Sequence, residues 1–282
     1  MAAASLHDAT ARFFVPAPFL LPFPPLQQAI ARLRAWIPSD CPLCSGRSRG
    51  GLLCAACETS VCQTARAPAS LGMPWRCHRC ALALPEHDTP CPDCADRRVG
   101  FERTIIAFDY APPADALVLE LKNGRRYGRA DLLGNLLAES VRHHVLPLPP
   151  QTVLVPIPAS EASLRRRGFN PAAEIARALG RDLALPLRHD ILRRNREQAK
   201  QSGLDRAGRR QAAQNLYASS PRARGLHIGL VDDVMTTGST LHAAAVALRA
   251  AGAASVVALA AARTPGRFPE AAPRGPWQGR RN

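Results

Sequence analysis

All nine cysteines of this 282-residue chain fall between positions 41 and 94, and eight of them form C-x-x-C pairs: Cys41/Cys44, Cys54/Cys57, Cys77/Cys80 and Cys91/Cys94. A pair at this spacing puts two thiolates on one tight turn, each about 2.3 Å from a shared ion, and two such turns complete a tetrahedral site. Eight thiolates therefore suit two structural zinc ions, which fold a small module and take no part in chemistry. Spacing alone leaves the pairing open. Neighbouring pairs would join 41/44 to 54/57 and 77/80 to 91/94, whereas the gap from Cys57 to Cys77 lies near a common ribbon spacing and would give a nested arrangement. Disulfides fit poorly with a chain that shows no signal peptide, and a redox C-x-x-C is normally single and set beside a βαβ unit. Cys62 is left over and reads as a buried thiol.

After residue 98 the cysteines stop, and apolar runs alternate with amphipathic ones. The run 103–111, RTIIAFDYA, predicts a strand, and ADALVLELKNG predicts a helix ending at Gly124. ADLLGNLLAESVRHHVL repeats its apolar residues at helical spacing, and TVLVPIP (152–158) reads as a buried strand stopped by proline. In RRRGFNPAAEIARALG, Asn170 is placed to cap a helix, Pro171 suits its first position and Gly180 its end. Further strands are predicted at 187–194, 226–231 and 255–262, with a helix over 240–251 closed by Gly252. Repeated strand-helix-strand units with apolar strands call for an α/β fold, a mostly parallel sheet with helices on both faces. Four regions are expected: an apolar segment at 1–37 with an amphipathic helix at 26–37, a Cys-rich double zinc ribbon at 38–98, an α/β domain at 99–262, and a disordered basic tail at 263–282.

Lys and Arg number 37 against 22 Asp and Glu, a net charge of +15, which favours anionic partners such as nucleic acid or phosphorylated metabolites. Only Lys122 and Lys200 are lysines, so a codon-driven arginine habit would give the same excess. No apolar run reaches the roughly 18 to 20 residues of a membrane span, and a cytoplasmic protein is expected.

The sequence VDDVMTTGSTL (231–241) carries the chemistry. In a parallel sheet the ligand crevice lies beyond the C-terminal strand ends, where Asp232 and Asp233 follow the apolar run 226–231. Adjacent strand residues point to opposite sides, so one carboxylate can meet a ligand's diol while the other orients the loop or a metal-bound water. The following TTGST turns into a helix, and its successive N–H groups and hydroxyls make a cup for phosphate. Phosphate plus diol describes a ribose 5-phosphate. Gly-Lys-Ser/Thr and G-x-G-x-x-G after a strand are both absent, which excludes the usual P-loop and dinucleotide folds.

This segment resembles the phosphoribosyl pyrophosphate signature of type I phosphoribosyltransferases. The chain over about 38–262 is similar to the ComF/GntX family of competence-associated, phosphoribosyltransferase-like proteins with an N-terminal zinc ribbon. The likeness rests on the four C-x-x-C pairs, LKNGR (121–125), VPIP (155–158), RRRGFN (165–170), RNREQAKQSGL (194–204) and VDDVMTTGSTL. It implies that Asp232 and Asp233 face the ribose hydroxyls and that Thr236, Thr237, Gly238, Ser239 and Thr240 hold the 5-phosphate. VPIP would form the pyrophosphate-side loop with Arg167 nearby, and 194–203, with Arg194 and Arg196, would close over the ligand. Mg2+ would arrive with phosphoribosyl pyrophosphate, keeping several waters. Single-stranded DNA and DNA-uptake proteins are the partners the resemblance implies.

The chain departs from the family pattern at Pro171, where a glutamine is usual, at Ser163, where an arginine is usual, and at Gln198, where a threonine is usual. Ala212 stands at the expected asparagine unless a shift lets Asn215 take that place. Three functions follow as expectations: a phosphoribosyltransferase of nucleoside metabolism, a single-stranded-DNA module in DNA uptake, and a non-catalytic sensor whose ligand tunes a partner interaction.

Overall fold

The structure is a computed structural model and describes residues 33, 36–66, 75–87, 89–95, 99–123, 126–195 and 216–266. The expected helix at 26–37 therefore lies outside the described residues except for Leu33, Trp36 and Ile37, which are exposed, and 196–203 and the tail beyond 266 lie outside altogether.

Two knuckles open the chain. Strands β1 (Pro38–Asp40) and β2 (Arg47–Arg49) pair antiparallel around the turn that holds Cys41 and Cys44, and α1 (Ala55–Arg66) begins directly after Cys54. Strands β3 (Trp75–Arg76) and β4 (Ala83–Leu84) pair antiparallel around Cys77 and Cys80.

The body is a four-stranded sheet in the order β5 (Thr104–Asp109), β10 (Ser255–Arg263), β9 (His227–Met235) and β6 (Val153–Pro156), with every pair parallel. Every residue of β10 is buried, as a central strand covered on both faces requires. Its alternation separates two cores. Val257, Leu259 and Ala261 join the core built with α2 (Asp115–Lys122), α3 (Gly128–Arg142), α5 (Pro171–Leu183) and the Val61 side of α1. Val256, Ala258 and Ala260 join the core built with α6 (Ser239–Ala250) and with β7 (Leu192–Arg194) and β8 (Tyr217–Ser219). The short helix α4 (Glu161–Arg167) buries no residue and projects from the loop after β6. Among the described residues no helix is long and apolar enough to cross a membrane.

Three elements depart from their expected bounds. The run 187–194 is a strand only from Leu192, and β7 pairs antiparallel with β8 outside the main sheet, while Leu187 makes a single bridge to Leu154. The reason is its middle: Arg188 and Asp190 pair with each other at 2.8 Å and Arg222 joins them, a charged cluster with no apolar face to bury. Helix α5 is capped by Asn170, whose side chain accepts from Ala172 N, but it runs past Gly180 to Leu183. Gly180 is needed for close approach, because a Cβ there would sit 2.9 Å from the Leu185 carbonyl as the chain folds back. Strand β9 continues through both aspartates to Met235, since β10 runs alongside and pairs Ala260 with Asp232 and Ala262 with Val234.

Candidate functional site

Asp232 and Asp233 lie near the C-terminal end of β9 and address different sides, as strand alternation requires. Asp233 forms an ion pair with Lys122, the last residue of α2, at 3.1 Å, and its Oδ1 accepts from Val234 N at 2.6 Å. Asp232 accepts from Asp233 N at 2.9 Å. Burial, and after it the neighbouring Asp233 carboxylate, push the Asp232 carboxyl up to about 8. On its side lies Tyr217, buried on β8, whose hydroxyl is 3.5 Å from Arg194 on β7.

Immediately after β9 the chain turns into α6. Gly238 adopts φ 73°, a left-handed conformation that a side chain resists, and it stands at the helix N-cap, where Thr237 Oγ1 accepts from Ser239 N at 3.4 Å. Thr236, Thr237, Ser239 and Thr240 are exposed around it, and Thr237 Oγ1 lies 2.8 Å from Ser239 Oγ. The hydroxyls and the first-turn amides of α6 thus lie at the positive end of a 12-residue helix, which suits an anion.

The loop after β6 and α4 border a cavity of their own. Ala159, Ser160, Glu161, Ala162, Arg165, Arg194 and Asn195 line a cavity of about 330 Å³. Arg194 is thus fixed as the last residue of β7, while Arg196 lies outside the described residues. Arg167 closes α4, and its Nε is buried without a hydrogen-bond partner among the described residues. Arg165, two residues earlier, is the α4 arginine that lines the cavity.

The cysteines resolve into two groups of neighbours: Cys41, Cys44, Cys54 and Cys57, and Cys77, Cys80, Cys91 and Cys94, each with its sulfurs within 4.8 Å of one another. The nested alternative is excluded. Cys44 and Cys54 sulfurs are 3.7 Å apart, and Cys80 and Cys91 sulfurs 3.5 Å, close to the edge of about 3.8 Å of a tetrahedron with 2.3 Å metal–sulfur bonds. Crowding splits the thiols. In the first group Cys41 is held down at about 6, where backbone N–H donors of Cys54, Cys44 and Leu43 outweigh its burial, while hydrogen bonding to Cys44 and Cys54 pushes Cys57 up to about 12. In the second, the Cys80 thiol holds Cys77 at about 4, hydrogen bonding to Cys77 raises Cys80, and burial pushes Cys94 up to about 12. Four sulfurs so placed are compatible with a structural zinc ion in each group. Cys62, buried in α1, belongs to neither group.

The second knuckle lies along β5 and reaches the ligand edge of the sheet at the last residue of that strand. Arg76 makes a bidentate pair with Asp109, the last residue of β5, at 3.1 and 2.7 Å, and Thr104 Oγ1 donates to the Arg79 carbonyl at 2.7 Å. Arg263, the last residue of β10, is also in contact with it.

Sequence reasoning missed Lys122, Arg165, Tyr217 and Arg263 as site residues. Lys122 carried a usable signal, since it is one of two lysines in a chain with 37 Lys and Arg. Arg165 lay within RRRGFN (165–170), two residues before Arg167, whereas Tyr217 and Arg263 had no local signal, because their roles come from elements distant in sequence.

A model of the phosphoribosyl transferase domain matches residues 162–271. The DNA utilization protein YhgH of Salmonella typhi is 32% identical over 235 residues, covering 81% of this chain and 98% of that protein. The YhgH protein of Escherichia coli O157:H7 is 33% identical over 192 residues, 67% of this chain and 84% of that protein. Competence protein F of Haemophilus influenzae is 29% identical over 183 residues, 62% and 79% of the two chains. Nearly full coverage of relatives above 30% identity, the transferase-domain match and the cysteine groups ahead of it agree: the chain belongs to the ComF family, with a phosphoribosyltransferase-like domain.

Proposed function

We propose that this protein binds phosphoribosyl pyrophosphate, or a related ribose 5-phosphate, with Mg2+, and that it serves DNA utilization or uptake, as its relatives' names suggest. The observation that carries the ligand is the pair of carboxylates near the end of β9 followed directly by the hydroxyl-lined start of α6. Thr236, Thr237, Gly238, Ser239 and Thr240 hold the 5-phosphate, and Asp232 and Asp233 receive the ribose diol, with Lys122 fixing Asp233. Arg165 and Arg194 on the cavity wall, the unsatisfied Nε of Arg167, and Arg196 in the closing loop serve the pyrophosphate. Mg2+ carried by the pyrophosphate offsets its charge when bound. Should transfer occur, the arginines would neutralise charge on the departing pyrophosphate, a positional and electrostatic catalysis. Each cysteine group holds a structural Zn2+, and the chain divides into the regions 1–37, 38–98, 99–262 and 263–282 in a cytoplasmic protein.

Calorimetric titration of phosphoribosyl pyrophosphate with Mg2+ tests this reading. The wild type should release heat and an Asp232→Asn/Asp233→Asn variant should not; a wild type with neither heat nor thermal shift would overturn it.

A second reading, a single-stranded-DNA accessory, is favoured by the second knuckle. Trp75 is 40% exposed and edge-stacked on His87 at 4.4 Å, and with Arg76, His78 and Arg79 it lines an open cavity of about 640 Å³. Such aromatic and basic neighbours suit base stacking beside a phosphate backbone. Salt-dependent binding of oligonucleotides that weakens on Trp75→Ala would support it; affinity unchanged by the substitution would count against it.

A further inference from the structure

We propose that the second cysteine cluster is the platform that holds the phosphate loop in place, with Arg263 as the positioning residue between them, so that metal at the cluster and phosphate at the loop strengthen each other's binding. The proposal rests on the ribose-phosphate reading of that loop.

Arg263 is 1% exposed, among the largest side chains buried to that degree. A guanidinium withdrawn from water is tolerated only when its donors are matched. Here the partners belong to two regions. Towards the knuckle, Nε donates to the Cys80 carbonyl at 3.1 Å and Nη2 to the Asp93 carboxylate, which lies between Cys91 and Cys94. Towards the loop, Nη1 donates to the Met235 carbonyl at 3.3 Å, to the Thr236 carbonyl and to the Thr264 carbonyl at 2.9 Å. Thr236 is the first residue of the proposed phosphate cup.

Both knuckle partners depend on the turns that close around a metal. Ala81 N donates to the Cys77 carbonyl at 2.8 Å, which sets the turn that carries Cys80, and Ala95 N donates to the Cys91 carbonyl at 2.9 Å, which sets the turn that carries Asp93. If those turns relax when the metal leaves, Arg263 loses two partners inside the protein and its remaining bonds to the loop carbonyls must rearrange. A loop fixed by phosphate, in turn, holds Arg263 where the metal-bound turns need it. Coupling of this kind is reciprocal in binding free energy. The knuckle has an anchor apart from Arg263, the Arg76–Asp109 pair and the Thr104 bond, so cutting one link need not detach it.

Asp93 is the place to cut, because its side chain is 28% exposed and asparagine keeps its shape. Hydrogen–deuterium exchange on the full zinc-loaded chain reads the outcome. In Asp93→Asn the segment 235–241 should exchange roughly tenfold faster and bind phosphoribosyl pyrophosphate with Mg2+ roughly tenfold more weakly, within the range of ordinary coupling. Asp93→Glu should recover part of both. In the wild type the ligand should slow exchange in 77–94, and in Asp93→Asn it should not. Unchanged exchange at 235–241 in Asp93→Asn overturns the proposal, as does ligand binding without protection of 77–94 in the wild type. A wild type that fails to bind the ligand sinks the ribose-phosphate reading instead, while the exchange at 235–241 still decides whether cluster and loop are coupled.

Discussion

Cys41, Cys44, Cys54 and Cys57 close one knuckle against the face of the sheet that carries α2, α3 and α5, whereas Cys77, Cys80, Cys91 and Cys94 close another against the face that carries α6. The first group is open at its rim, with Cys44 exposed, and the second is buried at all four positions. The first contributes Cys41 and the neighbouring Leu53 to a core made largely by helices. The second packs into the core on the α6 face and is tied by Arg76 and Arg263 to the C-terminal ends of β5, β9 and β10, and by the Arg79 carbonyl to Thr104 at the start of β5. Identical C-x-x-C spacing therefore serves two purposes: one knuckle covers the sheet, and the other also meets the candidate site.

The largest effect should come from opening the buried knuckle. Cys80→Ser, at a position with no exposure, is expected to lose the zinc proposed for that group and about 4 kcal/mol or more of stability, the range reserved for loss of a metal. Cys44→Ser, at the exposed rim of the other knuckle, should cost about 2 kcal/mol. Denaturant unfolding with zinc analysis compares them, and equal losses would break the comparison.

The next prediction concerns the face that carries β8 and Asp232. With its carboxyl near 8 in the folded protein and about 4 when unfolded, Asp232 keeps a proton that the unfolded chain releases. The stability this contributes is complete below about pH 4 and is lost as pH rises towards 8, at up to about 1.4 kcal/mol per pH unit. Asp232→Asn should flatten the ligand-free stability profile over that window. A slope the substitution leaves intact would assign the proton elsewhere.

On the α2 face, Lys122→Met leaves Asp233 without its partner. Both side chains are partly screened by solvent, 20% and 15% exposed, so the loss should be about 1–2 kcal/mol in denaturant unfolding, below the cost of breaking a fully buried pair. Loss of phosphoribosyl pyrophosphate affinity beyond that of stability would mark Lys122 as a binding residue. The smallest effect is expected at the exposed charge cluster beside β7. Asp190→Asn should change unfolding by no more than about 0.5 kcal/mol, and a larger change would show that this ribbon bears on the core.

Much of this architecture could be read from local pattern. The C-x-x-C pairs, the Asn170-Pro171 helix start, the apolar strands and the turn at Gly238 each follow from residues within a few positions of one another. The run 187–194 misled because Ile191 and Leu192 look strand-like while Arg188 and Asp190 satisfy each other at the surface. Gly180 misled because a glycine near a helix end signals a stop, while here a returning backbone requires it.

The sequence by itself determined the ingredients: eight cysteines in C-x-x-C pairs, a parallel α/β body and a small-residue turn behind two aspartates. Tertiary structure decided how they are joined. The metal pairing depended on which turns meet in space, and the partner of Asp233 depended on α2 packing beside β9. Arg263, which ends an alanine-rich strand and reads as the start of a basic tail, is buried because the second knuckle and the β9 loop both deliver acceptors to it. A hydrophobic or helical period is set by adjacent residues and survives in one dimension, whereas the matching of a buried charge is set by contacts up to 183 residues apart and exists only after folding.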